Sequence, residues 1–146
     1  MGVYSGNGVD AMIAGGRVTG VEAKLWKSEK VTGMDIAISI ESVTSEKNRI
    51  AVGYAYKVNY APEIGFIEVS GEIFLEDKES ELKRIMEQWT RKKELPVEIA
   101  EQVLTAITYT GSTVGTLAAF ALNINAPINV PRTKIAPAEA KEKQAS

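Results

Sequence analysis

At 146 residues, with 45% hydrophobic and 25% charged side chains, the chain is long enough for one domain with its own core and ordinary for a globular protein. A formal net charge of -2 lacks the basic footprint of a nucleic-acid binder, so no nucleic acid is expected as a direct partner. Cysteine and histidine are both absent, which removes disulfides, thiolate nucleophiles, imidazole bases and the usual zinc ligands.

Residues 1–16 are glycine-rich and without periodicity, with one helical turn expected at most over 9–14. Gly6, Gly8 and Ala11 match the letters of a dinucleotide loop, but such a loop needs a strand before it and a long helix after it. The segment is therefore expected to be a loop. It also has neither the basic nor the apolar region of a signal peptide, so the expected location is the cytoplasm.

Four stretches then alternate with a period of two, as half-buried strands do. Residues 17–26 set Val21, Ala23 and Leu25 against Glu22 and Lys24, and residues 34–43 set Ile36, Ile38 and Ile40 against Asp35, Ser39 and Glu41. Residues 49–60 carry the strongest pattern, with Ile50, Val52, Tyr54, Tyr56, Val58 and Tyr60 on one face. Residues 66–76 place Ile67, Val69, Ile73 and Leu75 opposite Glu68, Ser70, Glu72 and Glu76. Short turns between them predict an antiparallel meander of four strands, or slightly more.

The period then changes. Residues 78–92 place Leu82, Ile85, Met86 and Trp89 at helical spacing. Pro96 opens a second helix that reaches about residue 122, roughly 39 Å at 1.5 Å per residue. Residues 134–146 hold too few apolar side chains to pack and are expected to be a flexible tail. The expected organisation is a glycine-rich segment at 1–16, a single domain at 17–132 and a tail at 133–146. Strands followed by helices predict an α+β fold, one antiparallel sheet with both helices packed on one face.

No charge occurs between Gln102 and Pro131. A membrane span, a core helix and a protein-binding surface all compete for this run. The span reading fits the length but not the scattered threonines or Asn123 and Asn125. A core helix accounts for one side only. The other side carries Thr105, Thr108, Ser112, Gly115 and Ala119, small and uncharged, where a solvated face would carry Lys and Glu. A protein surface is expected against this stripe, either the first helix or, as the simpler explanation, a second subunit in a dimer or a tetramer. The sheet's second face sets Phe66 and Phe74 among Ala37, Ala51, Gly53 and Ala55, suited either to a groove or to cover by the N-terminal loop.

No catalytic constellation emerges. Glu68, Glu72 and Glu76 share one strand face, where two carboxylates could hold a hard cation or act as acid and base. No Asp or Asn cluster joins them, so a solvated face is the favoured reading. No enzyme activity, metal or cofactor is expected.

Residues 67–74 (IEVSGEIF), 95–104 (LPVEIAEQVL) and 122–130 (LNINAPINV) carry a resemblance. Together with the order of elements, they resemble the SecB-type protein-export chaperones over roughly residues 17–132. The resemblance implies a homotetramer built as a dimer of dimers. It also implies ATP-independent binding of extended, non-native polypeptide in apolar grooves. Tyr54, Tyr56, Phe74, Phe120, Ile124, Ile128 and Val130 are its implied client contacts. Glu68, with Glu72 beside it, falls where the family meets the translocation motor. The chain is less acidic than typical members, so a general holdase is expected rather than motor recognition. The competing expectations are an assembly protein docking on one folded partner or a large complex such as the ribosome, and an enzyme using the strand carboxylates.

Overall fold

A computed structural model describes residues 12–127. Four strands, β1 (Ile13–Leu25), β2 (Gly33–Glu46), β3 (Arg49–Ala61) and β4 (Gly65–Leu75), precede two helices, α1 (Glu79–Lys92) and α2 (Val97–Leu122). The strands form one antiparallel sheet, and both helices pack on the same face of it. The architecture is the expected α+β one. Of the expected glycine loop at residues 1–16, residues 1–11 lie outside the described residues, as does the expected tail at 133–146, while residues 13–16 belong to β1.

The strand order is β1-β4-β3-β2, which corrects the expected simple meander. β2, β3 and β4 are joined by tight turns, but β1 pairs with β4, from Ile13 opposite Leu75 to Leu25 opposite Gly65. Alternation fixes which face a side chain takes; it says nothing about which strand lies alongside. The connection after β1 crosses the end of the β3–β4 hairpin and is fastened there. Trp26 and Lys27 both donate their backbone N–H to the Ile64 carbonyl, and Thr32 donates to Ala61. The result is a Greek-key order rather than a meander. β1 also starts at Ile13 rather than Arg17, and Met12 is buried against the core.

The strongest sequence pattern makes the floor of the core. Ile50, Val52, Tyr54, Tyr56, Val58 and Tyr60 are all buried on the helix side of β3, and Ile67, Val69, Ile73 and Leu75 continue that floor on β4. α2 lies over β4, β1 and β3, while α1 covers part of β2. The buried row of α2 is Ile99, Val103, Ile107, Gly111, Gly115 and Ala119, spaced four apart. Its side chains shrink toward the C-terminus, so the helix closes on the sheet there. A Cβ at Gly111 would sit 2.7 Å from Tyr56 Cδ1, far inside van der Waals contact. Gly71 plays the same part on β4, where a Cβ would come within 2.7 Å of the Tyr54 hydroxyl. By length and composition α2 could cross a membrane, yet this row is packed on the sheet. The helix is therefore the second layer of the fold.

α2 ends where Asn123 turns left-handed (φ 59°). The backbone N–H of Ile124 donates to Ala119, and the chain doubles back so that Pro127 lies against Gly115. Tyr60 donates its hydroxyl to the Asn125 carbonyl at 2.6 Å and ties this return to the core. Burial, and then the neighbouring Tyr56, push the Tyr60 hydroxyl up to about 12 from its usual 10.0. Tyr54 and Tyr56 are raised as well, by burial. A raised folded-state value gives stability that is whole below the unfolded value and lost as pH climbs through the folded one. The melting temperature should therefore hold steady up to about pH 10 and fall between about 10 and 12. Tyr60→Phe should flatten that fall, at a cost near neutral pH of roughly 1 kcal/mol for the lost hydrogen bond. Thermal melts of both proteins from neutral to strongly alkaline pH check this.

α1 is joined to α2 by one exposed ion cluster. Arg84 Nη2 lies 2.8 Å from Glu81 Oε1 and 3.0 Å from Glu98 Oε2. The Arg84 hydrogen bond holds the Glu81 carboxyl below its usual range; for Glu98 a backbone hydrogen bond leads and Arg84 follows. Depressed folded values give stability that is present above the ordinary carboxylate range and lost as pH falls through them. Acidification below about pH 4.5 should thus loosen the α1–α2 link, and Arg84→Met should remove this part of the acid sensitivity. Melting curves of the two proteins at neutral and acid pH provide the check.

Candidate polypeptide-binding surface

Beyond its buried row, α2 packs Ala100, Ala106, Val114 and Ala118 partly against the core and leaves large apolar side chains uncovered. Val97, Tyr109, Leu117 and Phe120 are between 66% and 74% exposed, and Leu104 is exposed too. A solvated helix face that lacks charge from Gln102 onward leaves apolar area in water that another polypeptide can cover.

This surface opens into two recesses on the helix side of the sheet. One, of about 580 Å³, lies where α1 ends, α2 begins and β2 passes beneath. Ile40, Trp89, Leu95, Val97, Ala100 and Leu104 line it, with Lys93, Glu94 and Glu101 at the rim. Lys93 turns left-handed at the end of α1 (φ 56°), its ammonium 5.5 Å from the Trp89 ring centroid. Leu95-Pro96 then sets α2 off in a new direction, and that bend creates the recess. The other recess, about 430 Å³, lies between the start of β1 and the middle of α2, against Ile13, Val18, Ile73, Ala106 and Tyr109. Both are open and predominantly apolar, and Arg17, Glu72 and Thr110 border the second.

The expected client contacts are spread over the fold. Tyr54 and Tyr56 are buried beneath α2: Gly111 is seated on the Tyr56 ring, while Tyr54 also borders the recess between β1 and α2. Phe74 lies on the opposite face of the sheet, covered by the Arg49 guanidinium 3.8 Å above its ring. Phe120 is exposed on α2, and Ile124 is half-buried against the core where the chain doubles back. Ile128 and Val130 lie outside the described residues.

The expected subunit stripe divides. Thr105 and Thr108 are exposed and Ser112 is partly so, but Gly115 and Ala119 are buried within the subunit. The reason is geometric. The stripe and the core row converge on the same residues over the last turns of the helix, where the sheet and Pro127 take both.

Glu68 and Glu72 sit on the sheet face away from the helices, around a shallow depression of about 540 Å³ that also meets Arg17, Ser39, Glu41 and Lys57. Arg17 pairs with Glu72 at 2.8 Å, and Lys57 stands opposite Glu68 across the strands. Four residues apart on one strand, their Cα atoms are about 13 Å apart, a wide spacing for a shared proton or cation. Glu72 is ion-paired, while the Lys57 ammonium lies 4.9 Å from the Phe66 ring centroid. Among the described residues no group of carboxylates is placed to hold a metal ion.

Sequence reading missed the α1–α2 recess. Its signal was present: Trp89 in the apolar stripe of α1, and Leu95-Pro-Val97 at the bend. Periodicity marks both as core-facing, and only the turn between the helices shows that their cover is incomplete.

No family model and no curated protein matches this sequence. Among solved structures, it is similar to the Mycobacterium tuberculosis Rv1957 SecB-like chaperone, in complex with a ChAD peptide from the Rv1956 HigA1 antitoxin. The TM-score is 0.54 at 10% identity, over 80% of this chain and 83% of that one. The fold is SecB-like. At that identity the likeness concerns architecture, and it covers the four-stranded sheet followed by two helices.

Proposed function

We propose that this protein is an ATP-independent chaperone of the holdase type, binding unfolded or extended polypeptide along the apolar recesses of a homo-oligomer. The observation that carries this reading is the uncovered apolar surface of α2, running from the α1–α2 recess at Val97 and Leu104 to Leu117 and Phe120. The SecB-like fold supports it, and the structural neighbour with that fold is itself a chaperone described with a bound peptide.

The physical logic is direct. Unfolded chains expose apolar side chains of no fixed sequence, so open grooves lined by Leu, Val, Trp and Tyr suit them better than a shaped pocket. Burial supplies the affinity, at roughly 25 cal/mol for each Å² of apolar surface removed from water. No chemical step is needed, and the role is non-enzymatic. The remaining face of α2 pairs with a second copy, giving a dimer or tetramer, and the chaperone acts in the cytoplasm on chains bound for transport.

Size-exclusion chromatography with light scattering, alone and with a permanently unfolded client, tests this. An oligomer that takes up the client in a defined ratio is expected. A monodisperse monomer indifferent to the client would overturn it. Capture of one folded species from a lysate, without uptake of the unfolded client, would favour an assembly protein instead.

A further inference from the structure

The recess of about 430 Å³ between the start of β1 and the middle of α2 lies across the helix from the one at the α1–α2 bend. Ile13, Val18, Ile73 and Ala106 give it apolar walls, and β1 leaves room along one side by placing Gly15 and Gly16 there. Its floor is polar. A Cβ at Gly71 would come within 2.7 Å of the Tyr54 Oη, so that hydroxyl lies over Gly71, which stands opposite Val18 in the strand register. Tyr54 is 3% exposed and lines the recess. Tyr60 gives its hydroxyl to the Asn125 carbonyl, whereas no described residue accepts that of Tyr54. Burial raises the Tyr54 pKa, so the hydroxyl keeps its proton and remains a donor.

Thr110 borders the same recess. Elsewhere on α2 the hydroxyls of Thr105, Ser112, Thr113 and Thr116 donate to carbonyls three or four residues back. Thr110 makes no such bond among the described residues. One turn before Ala106, on the same side of the helix, the Gln102 Nε2 is buried and likewise without a partner. Buried polar groups are ordinarily hydrogen-bonded, and three that are not cluster here beside an apolar hollow.

From this geometry we infer that the recess is a binding site for a neutral carboxamide carried on an apolar stem. The stem packs on Ile13, Val18, Ile73 and Ala106. The amide oxygen accepts from the Tyr54 and Thr110 hydroxyls, and their oxygens are free to accept its N–H. A charged group is disfavoured. Arg17 and Glu72 border the recess, but they pair with each other at 2.8 Å, with Arg17 over the Phe74 ring on the sheet's other face. A charge entering the recess would be desolvated without a counter-ion. The same chemistry is offered by a small-molecule amide and by a glutamine or asparagine side chain on a polypeptide. Such a site is independent of the chaperone reading.

Titration of the isotope-labelled full-length protein with hexanamide, hexanoate and hexylammonium, followed through backbone amide chemical shifts, tests the site. Hexanamide should shift the signals of Ile13, Val18, Ile73 and Tyr109 and bind about tenfold or more tightly than either charged analogue. Tyr54→Phe and Thr110→Val keep the shape of the recess and remove one hydroxyl each. Each should weaken hexanamide about threefold to tenfold, with thermal melts confirming that both variants fold. Glycine–serine peptides with a single central glutamine or leucine separate the two sources. Preference for the glutamine peptide assigns the amide to a polypeptide side chain, and binding of hexanamide alone assigns it to a small molecule. Equal binding of the three probes, shifts confined to other elements, or an affinity that neither substitution changes overturns the inference. So does hexanamide binding that disappears as protein concentration rises, since a second copy then fills the recess.

Discussion

Gly111→Ala should destabilise the protein by roughly 1–3 kcal/mol, although alanine is the better helix former. Intrinsic propensity favours the substitution by about 1 kcal/mol, so steric cost must exceed that gain. It does because the new methyl would overlap the Tyr56 ring, which is 1% exposed and held between Val69 and Ile38 on the neighbouring strands. A flexible side-chain tip could swing aside; a ring fixed on the central sheet cannot, so α2 must lift. Lifting it also loosens Gly115, Ala119 and the return through Pro127, which share the same row. Denaturant melts of Gly111→Ala, Tyr56→Leu and the double variant check this. In the Tyr56→Leu background the space exists, and the penalty of the alanine should largely vanish. An equal penalty in both backgrounds would mean that the ring is not what Gly111 accommodates.

Val97→Glu combined with Leu104→Glu should weaken binding of an unfolded client by about a hundredfold, with little change in melting temperature. Both side chains border the α1–α2 recess and both are exposed, Val97 at 72% and Leu104 at 42%. Each buries apolar surface only when a client arrives, so each substitution costs about 1–2 kcal/mol in the complex and little in the free protein. Glu101 already stands at the rim, and two further carboxylates add the desolvation of charge to the lost contact. Anisotropy with a labelled unfolded protein gives the affinity, and thermal melts confirm that folding is intact. The substitution Glu68→Gln on the opposite sheet face is the control and should leave client binding unchanged.

The strands and helices were legible because their side chains obey a single period. β3 alternates for its whole length and is buried on one side throughout, so Ile50 to Tyr60 could be assigned to the core from the letters alone. Neighbour relations left no such trace. Nothing in residues 17–26 says that they pair with residues 65–75 rather than with 33–46, because each pairing satisfies the same alternation. The absence of charge after Glu101 marked a helix whose exposed face carries only hydroxyl and apolar side chains from there on. The stripe of small residues was then divided between that face and the sheet, because a straight helix passing over a twisted sheet changes which side it presents. The family resemblance pointed to Tyr54 and Tyr56, and the glycines Gly71 and Gly111, on which those rings pack, explain their burial. The exposed aromatics of α2, Tyr109 and Phe120, could be separated from them only by seeing the helix in place.

The central claim is that the uncovered apolar surface around α2 holds non-native polypeptide without nucleotide. Light scattering of a chemically unfolded enzyme diluted into buffer, with this protein present and ATP absent, tests it most directly. Scattering should be suppressed at near-stoichiometric ratios of the protein, and the Val97→Glu, Leu104→Glu variant should fail to suppress it. Aggregation at the same rate with and without the wild-type protein would contradict the account.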